Sequence, residues 1–111
     1  MIHKLSLCHT PFLAIKEDRK RIEMRLYDEK RSNIKIGDIL DFTDLESKEN
    51  MKCEVIDIKL YPSFKELYKD NDKSLLGYDI NETASPDDML LYYPKERQEK
   101  YQAMAIFIKK L

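Results

Sequence analysis

The run near the C-terminus, Tyr101-Gln-Ala-Met-Ala-Ile-Phe-Ile, constrains the fold more than any other stretch. Successive side chains of a strand point to opposite faces. Ala103, Ala105 and Phe107 fall on one face here, and Met104, Ile106 and Ile108 on the other. A strand that is apolar on both faces belongs in the middle of a sheet with both sides covered.

Upstream patterns supply its neighbours. Leu5 and Leu7 alternate with polar residues and predict a strand over residues 2–7. Thr10-Pro11 is a helix-start signal, with Thr10 as the cap and a helix from about Pro11 to Asp18. A strand at Arg21–Leu26 follows, then the polar loop YDEKRSN. Gly37 predicts a tight turn before a strand that begins Ile39-Leu40-Asp41-Phe42. After the charged turn DLESKEN, Met51 to Tyr61 alternates strongly. Its phase breaks at Val55-Ile56, as a bulge in a long barrel strand would require. Ser63-Phe-Lys-Glu is a capping pattern that predicts a helix with Phe64, Leu67 and Tyr68 on its apolar side. Ser85-Pro86-Asp87-Asp88 opens another, carrying Met89, Leu90 and Tyr92, and Pro94 interrupts it before a last turn or two at Lys95–Lys100. The fold class is α+β, with about five strands and helices inserted between them.

A length of 111 residues supports one domain, 1–111, around a single core. The charged fraction is high, 37%, yet the net charge of -1 argues against a strongly basic, nonspecific nucleic-acid binder. Two cysteines, Cys8 and Cys53, with no signal peptide before them fit a reducing cytoplasm. No apolar run approaches the roughly 18 residues of a membrane span. His3, Cys8 and His9 lack the spacing of a zinc site, so no metal is expected. Two isolated glycines cannot form a phosphate-cradling loop, no nucleophile elbow is legible, and neither a cofactor nor an obligate protein partner is implied.

The stretch DRKRIEMRLYDEKR, Asp18 to Arg31, carries the chemistry. Ile22, Met24 and Leu26 share one strand face, and Arg21, Glu23, Arg25 and Tyr27 the other. Lys20, Glu23 and Arg25 converge near its start, with Tyr27, Lys30 and Arg31 just beyond. A carboxylate between two cations is held ionised, and an Arg fork takes a phosphate or a base edge with two hydrogen bonds. Periodicity alone favours the plainer interpretation, a solvated face stitched by nearly neutral surface ion pairs. Tyrosines crowd the second half of the chain, and tyrosine suits stacking on a splayed base. Most fit half-buried core positions. Tyr92 and Tyr93 stand apart, because adjacent helix residues cannot both face a core, and Tyr93 is carried forward as the stacking candidate.

The pattern Lys20 to Arg31, K-x-x-E-x-R-L-Y-D-E-K-R, followed by I-K-I-G-D-I-L-D-F-T, resembles the ASCH domain of the PUA-like superfamily. T-A-S-P-D-D-M-x-x-Y-Y and a later E-K-Y before the last strand are similar to small bacterial stand-alone members. The family usually has Gly before the Lys-rich turn, where Asp18-Arg19 stands here. The resemblance implies a small β-barrel of about five to six strands with surrounding helices. It implies a cleft holding Lys20, Glu23 and Arg25, with Tyr27, Asp28, Lys30 and Arg31 on the rim and the Ser85 to Tyr93 helix over one side. The ligand class implied is RNA, a nucleoside or a nucleotide. A rival expectation is a hydrolase. One related group hydrolyses N4-acetylcytidine with a Lys-x-x-Thr and a separate Glu; Lys20 matches the Lys, but Glu23 stands at the Thr. Relatives linked to RNA cleavage make Lys20, Tyr78 and Ser85 the catalytic candidates.

Overall fold

In the computed structural model, which describes residues 1–111, the doubly apolar run is β5, Ala103–Lys110, and it is an interior strand as its pattern requires. β4 (Asn50–Tyr61) and β2 (Ile22–Leu26) flank it, both antiparallel. β3 (Ile39–Asp44) pairs antiparallel with β4, and β1 (Ile2–Leu7) pairs parallel with β3. The order β1-β3-β4-β5-β2 leaves β1 and β2 as edges. The sheet curls into a half-barrel that brings those edges toward each other: Arg25 on β2 donates to the Ser6 carbonyl on β1. Helices α1 (His9–Lys16), α2 (Phe64–Asp70) and α3 (Lys95–Lys100) complete the α+β fold, with 3₁₀ segments at Arg31–Asn33 and Pro86–Leu91.

Each face of β5 meets its own core. Met104, Ile106 and Ile108 join Leu5, Leu7, Phe12, Leu40, Phe42 and Val55 inside the half-barrel. Ala103 and Ala105 join Ile22, Met24, Leu26, Phe64 and Leu67 on the other side, where α2 packs. The register of β2 follows: Ile22, Met24 and Leu26 lie opposite Phe107, Ala105 and Ala103. Glu23 and Arg25 consequently lie opposite Ile106 and Met104, on the inner face. That register carries two charged residues into the half-barrel.

The bulge lies where the phase break put it. The β4–β5 register shifts between Val55 and Asp57, and Ile56 is left exposed. The Gly37 turn docks there, its N–H donating to the Val55 carbonyl at 2.8 Å, and its φ of +93° suits glycine. The start of α1 differs from the expectation. The helix begins at His9, Cys8 holds the cap position with no side-chain bond, and Thr10 falls inside the first turn. His9 ties that turn to the end of β3 by donating to Asp44 at 2.6 Å. Beyond α1, Asp18 adopts a left-handed φ of +63°, the conformation for which the family's glycine is suited.

Candidate functional site

A cavity of about 560 Å³ fills the seam between the free edges of β1 and β2. Ser6, Leu7 and Cys8 form one wall, and Lys20, Glu23 and Arg25 line the base. The Pro86–Leu91 segment and Tyr92-Tyr93 border it; the stretch is a 3₁₀ segment that ends at Leu91, where the sequence predicts a helix through Tyr92. Its size lies within the roughly 300–1,000 Å³ of small-molecule sites.

Its floor is an ion triad. Lys20 Nζ lies 2.9 Å from Glu23 Oε1, and Arg25 Nε donates to Glu23 Oε2 at 2.7 Å. Lys20 and Glu23 are buried and the Arg25 side chain nearly so, which corrects the solvated-face interpretation favoured by periodicity. The reason is long-range: curling places β1 against this face. Burial by itself would raise the Glu23 pKa, but the two cations and their hydrogen bonds outweigh it and hold it at about 2. The carboxylate is thus charged at neutral pH. Arg25 Nη2 donates to the Ser6 carbonyl at 3.2 Å, and Tyr93 sits close enough to favour the guanidinium further. Gly77, at φ +106°, lets its loop pass over the Lys20 stem; a Cβ there would lie 3.1 Å from Lys20 Cδ.

A hydroxyl chain also borders the cavity. Tyr78 donates to Asp88 Oδ2 at 2.7 Å and shares a 2.8 Å hydrogen bond with Tyr68. Burial, then these partners, push the Tyr78 pKa well above that of a free phenol, so it is a donor rather than a base. Tyr93 stacks on Phe64 with centroids 6.2 Å apart, and Tyr92 is exposed at the mouth.

Not every candidate reaches the cleft. Lys20, Glu23, Arg25, Arg31, Tyr78 and Tyr93 all line it. Tyr27 does not: it packs half-buried against the inner core. Lys30 lies outside as well, beside a smaller cavity next to β1. Ser85 is also absent from the lining, because its hydroxyl caps the Pro86–Leu91 segment by accepting from the Asp87 N–H. Lys20, Tyr78 and Ser85 therefore do not share one cavity. Asp28, expected on the rim, is buried and accepts from the Arg31 N–H and guanidinium and from Arg97. Of the residues with metal-ligating chemistry near the N-terminus, His3 pairs with Asp38 and His9 with Asp44, while Cys8 faces the cleft.

Sequence inspection singled out Tyr78 but missed the β1 wall, Gly77 and the hydrogen bonds that join Tyr78 to Tyr68 and Asp88. Gly77 left a signal as one of two glycines, and Tyr68 as one of the crowded tyrosines.

A curled five-stranded half-barrel with helices around it, open along one seam, is the PUA-like architecture. Residues 5–111 match the ASCH domain family, and the chain belongs to that family. It is similar to the crystal structure of the hypothetical protein PH0355, at 33% identity and a TM-score of 0.83, each chain covered over 100% of its length. It is also similar to the solution NMR structure of protein PF0455 from Pyrococcus furiosus. There the identity is 33% and the TM-score 0.71, with 100% of this chain and 98% of that one covered. No curated protein matches the sequence. The ASCH domain is a PUA-like fold often proposed as RNA-binding. No helix is long and apolar enough to cross a membrane.

Proposed function

We propose that this chain is an RNA- or nucleotide-binding module whose ligand enters the seam cleft. The observation that carries the proposal is the Lys20–Glu23–Arg25 triad, buried on the floor of a tyrosine-lined cavity. Folding alone does not account for it, since apolar replacement of such a group is often neutral or stabilising by about 1–4 kcal/mol. Perturbed charges gathered in a cleft are instead the mark of a functional site.

In this account Lys20 and Arg25 hold a phosphate or a base edge. Lys20 retains ammonium donors beyond its bond to Glu23, and Arg25 retains its Nη1 donors. Glu23 keeps a lone pair on each oxygen and accepts from an exocyclic amino group. Tyr93, backed by Phe64, provides the stacking face. Arg31 borders the cleft and attracts the same anionic ligand. A compartment rich in RNA and nucleotides, the cytoplasm, is the setting this function fits.

Hydrolysis is the lesser alternative. Glu23 offers no hydroxyl nucleophile, and Ser85 lies outside the cavity. The test is calorimetric titration with the four ribonucleosides and their monophosphates. At least one is expected to bind saturably, with affinity reduced tenfold or more in Arg25→Ala. Unchanged affinity in that variant would remove the cleft assignment. Turnover of N4-acetylcytidine, lost in Lys20→Ala, would replace recognition by catalysis.

A further inference from the structure

A second, smaller cavity of about 250 Å³ lies on the β1 side of the molecule. Lys4, Lys30, Arg31 and His3 contribute its polar lining, and no carboxylate does. Neither Lys4 nor Lys30 is engaged in a salt bridge. The nearby carboxylate, Asp38, is already met by His3 Nε2 at 2.8 Å, by the Lys35 N–H at 3.0 Å and by the N-terminal ammonium at 3.3 Å. In a chain with 20 basic and 21 acidic residues, Lys4 and Lys30 bring two unpaired positive charges to one cavity, beside an Arg31 that is paired with Asp28.

Arg31 belongs to both cavities. Its Nη1 donates to Asp28 at 3.2 Å, and Arg97 braces the same carboxylate from α3 at 2.9 Å. Its Nε is the only buried side-chain nitrogen or oxygen without a hydrogen-bond partner. A buried donor without an acceptor costs about 1–3 kcal/mol. Arg31 Nη2 makes no hydrogen bond and is not buried, so in a guanidinium fixed by a carboxylate beside two cavities it is the donor open to an acceptor from outside the chain. Phosphate oxygens match both the charge and the fork.

We propose that Lys4, Lys30 and Arg31 form a phosphate subsite. On this arrangement the ligand is a single-stranded oligonucleotide: one nucleoside occupies the seam cleft and an adjoining phosphodiester lies in the smaller cavity. The inference rests on the nucleotide-binding reading of the cleft and specifies its substrate as polymer rather than free nucleoside. The division of labour is the usual one, in which phosphate contacts position the strand and base contacts specify it.

The test compares single ribonucleosides with a fluorescently labelled RNA hexamer of randomised sequence, using wild type and the double variant Lys4→Ala/Lys30→Ala. Both lysines are exposed and unpaired, so the variant is expected to fold; Arg31→Lys, which keeps charge but loses the fork, is the second probe. The hexamer is expected to bind wild type at least tenfold more tightly than any nucleoside. The double variant should lose most of that ratio, and the slope of log K against log salt should shrink by about 0.7 for each phosphate no longer neutralised. Arg31→Lys should lower the ratio as well. Hexamer affinity and salt slope unaltered in both variants would overturn the subsite. Nucleoside binding with no gain for the hexamer would overturn it too, while leaving the cleft reading intact. Absence of binding by nucleosides and hexamer alike would instead remove the cleft reading, and the subsite with it.

Discussion

Arg25 on β2 and Ser6 on β1 belong to opposite edges of the sheet, yet the guanidinium donates to the Ser6 carbonyl at 3.2 Å. The two edges are thus joined by a side chain where a closed barrel would have a backbone ladder. The gap left open on either side of that bond is the cleft. Because Arg25 Nε is also held by Glu23, the seam contact and the ion triad form one connected unit.

Removing the shared carboxylate should expose how much that unit matters to folding. Glu23→Ala leaves Lys20 and Arg25 buried without their counter-charge, and breaking such a buried pair costs about 3–5 kcal/mol. Urea unfolding measures it. A loss below about 1 kcal/mol would match a solvated surface pair instead.

Acid stability should follow the same residue. The folded pKa of Glu23 is about 2, below its ordinary value of 4.5. A depressed carboxyl contributes stability that is complete above the unfolded pKa and is lost as pH falls through the folded one. Wild type should therefore weaken between about pH 4.5 and pH 2. Part of that slope should vanish in Glu23→Gln, and parallel acid-unfolding curves for the two proteins would contradict the assignment. Asp38 and Asp44, each also held at about 2, contribute to the same slope.

The His9–Asp44 pair should act at the other end of the scale. Its hydrogen bond to Asp44, more than the opposing effect of desolvation, raises the His9 pKa above 6.5. A raised base contributes stability that is complete below the unfolded pKa and is lost as pH rises through the folded one. The melting temperature should accordingly fall as pH climbs from 6.5, and His9→Gln should flatten this limb. Thermal scans from about pH 6 to 9 would show it.

Gly77 should tolerate no side chain. Its φ of +106° strains any L-residue, and a Cβ would press on Lys20 Cδ at 3.1 Å. Gly77→Ala should cost more than about 1 kcal/mol and displace Lys20 from Glu23, lowering ligand affinity with it. Retention of both stability and affinity would show that Lys20 needs no such clearance.

Much of the fold was legible in the order of residues. Period-two patterns place all five strands, the doubly apolar β5 lies inside the sheet with a neighbour on each side, and the β4 bulge falls at the Val55-Ile56 phase break. What stayed hidden is what depends on curvature. Glu23 and Arg25 alternate with apolar residues and look solvated until β1 is brought across them. Nothing local links Ser6 to Arg25, or Asp28 to Arg97. Thr10 and Ser85 show a limit of a different sort. Both carry cap chemistry, but His9 starts the first helix, and Ser85 is consumed as a cap and so is absent from the cleft.

The most direct test of the central claim is an amide and side-chain NMR titration of the protein with ribonucleoside monophosphates. The account predicts saturable shifts confined to the seam, at Lys20, Glu23, Arg25, Gly77, Tyr92 and Tyr93, and their loss in Arg25→Ala. Shifts that cluster away from the seam, or that survive in Arg25→Ala, would contradict it.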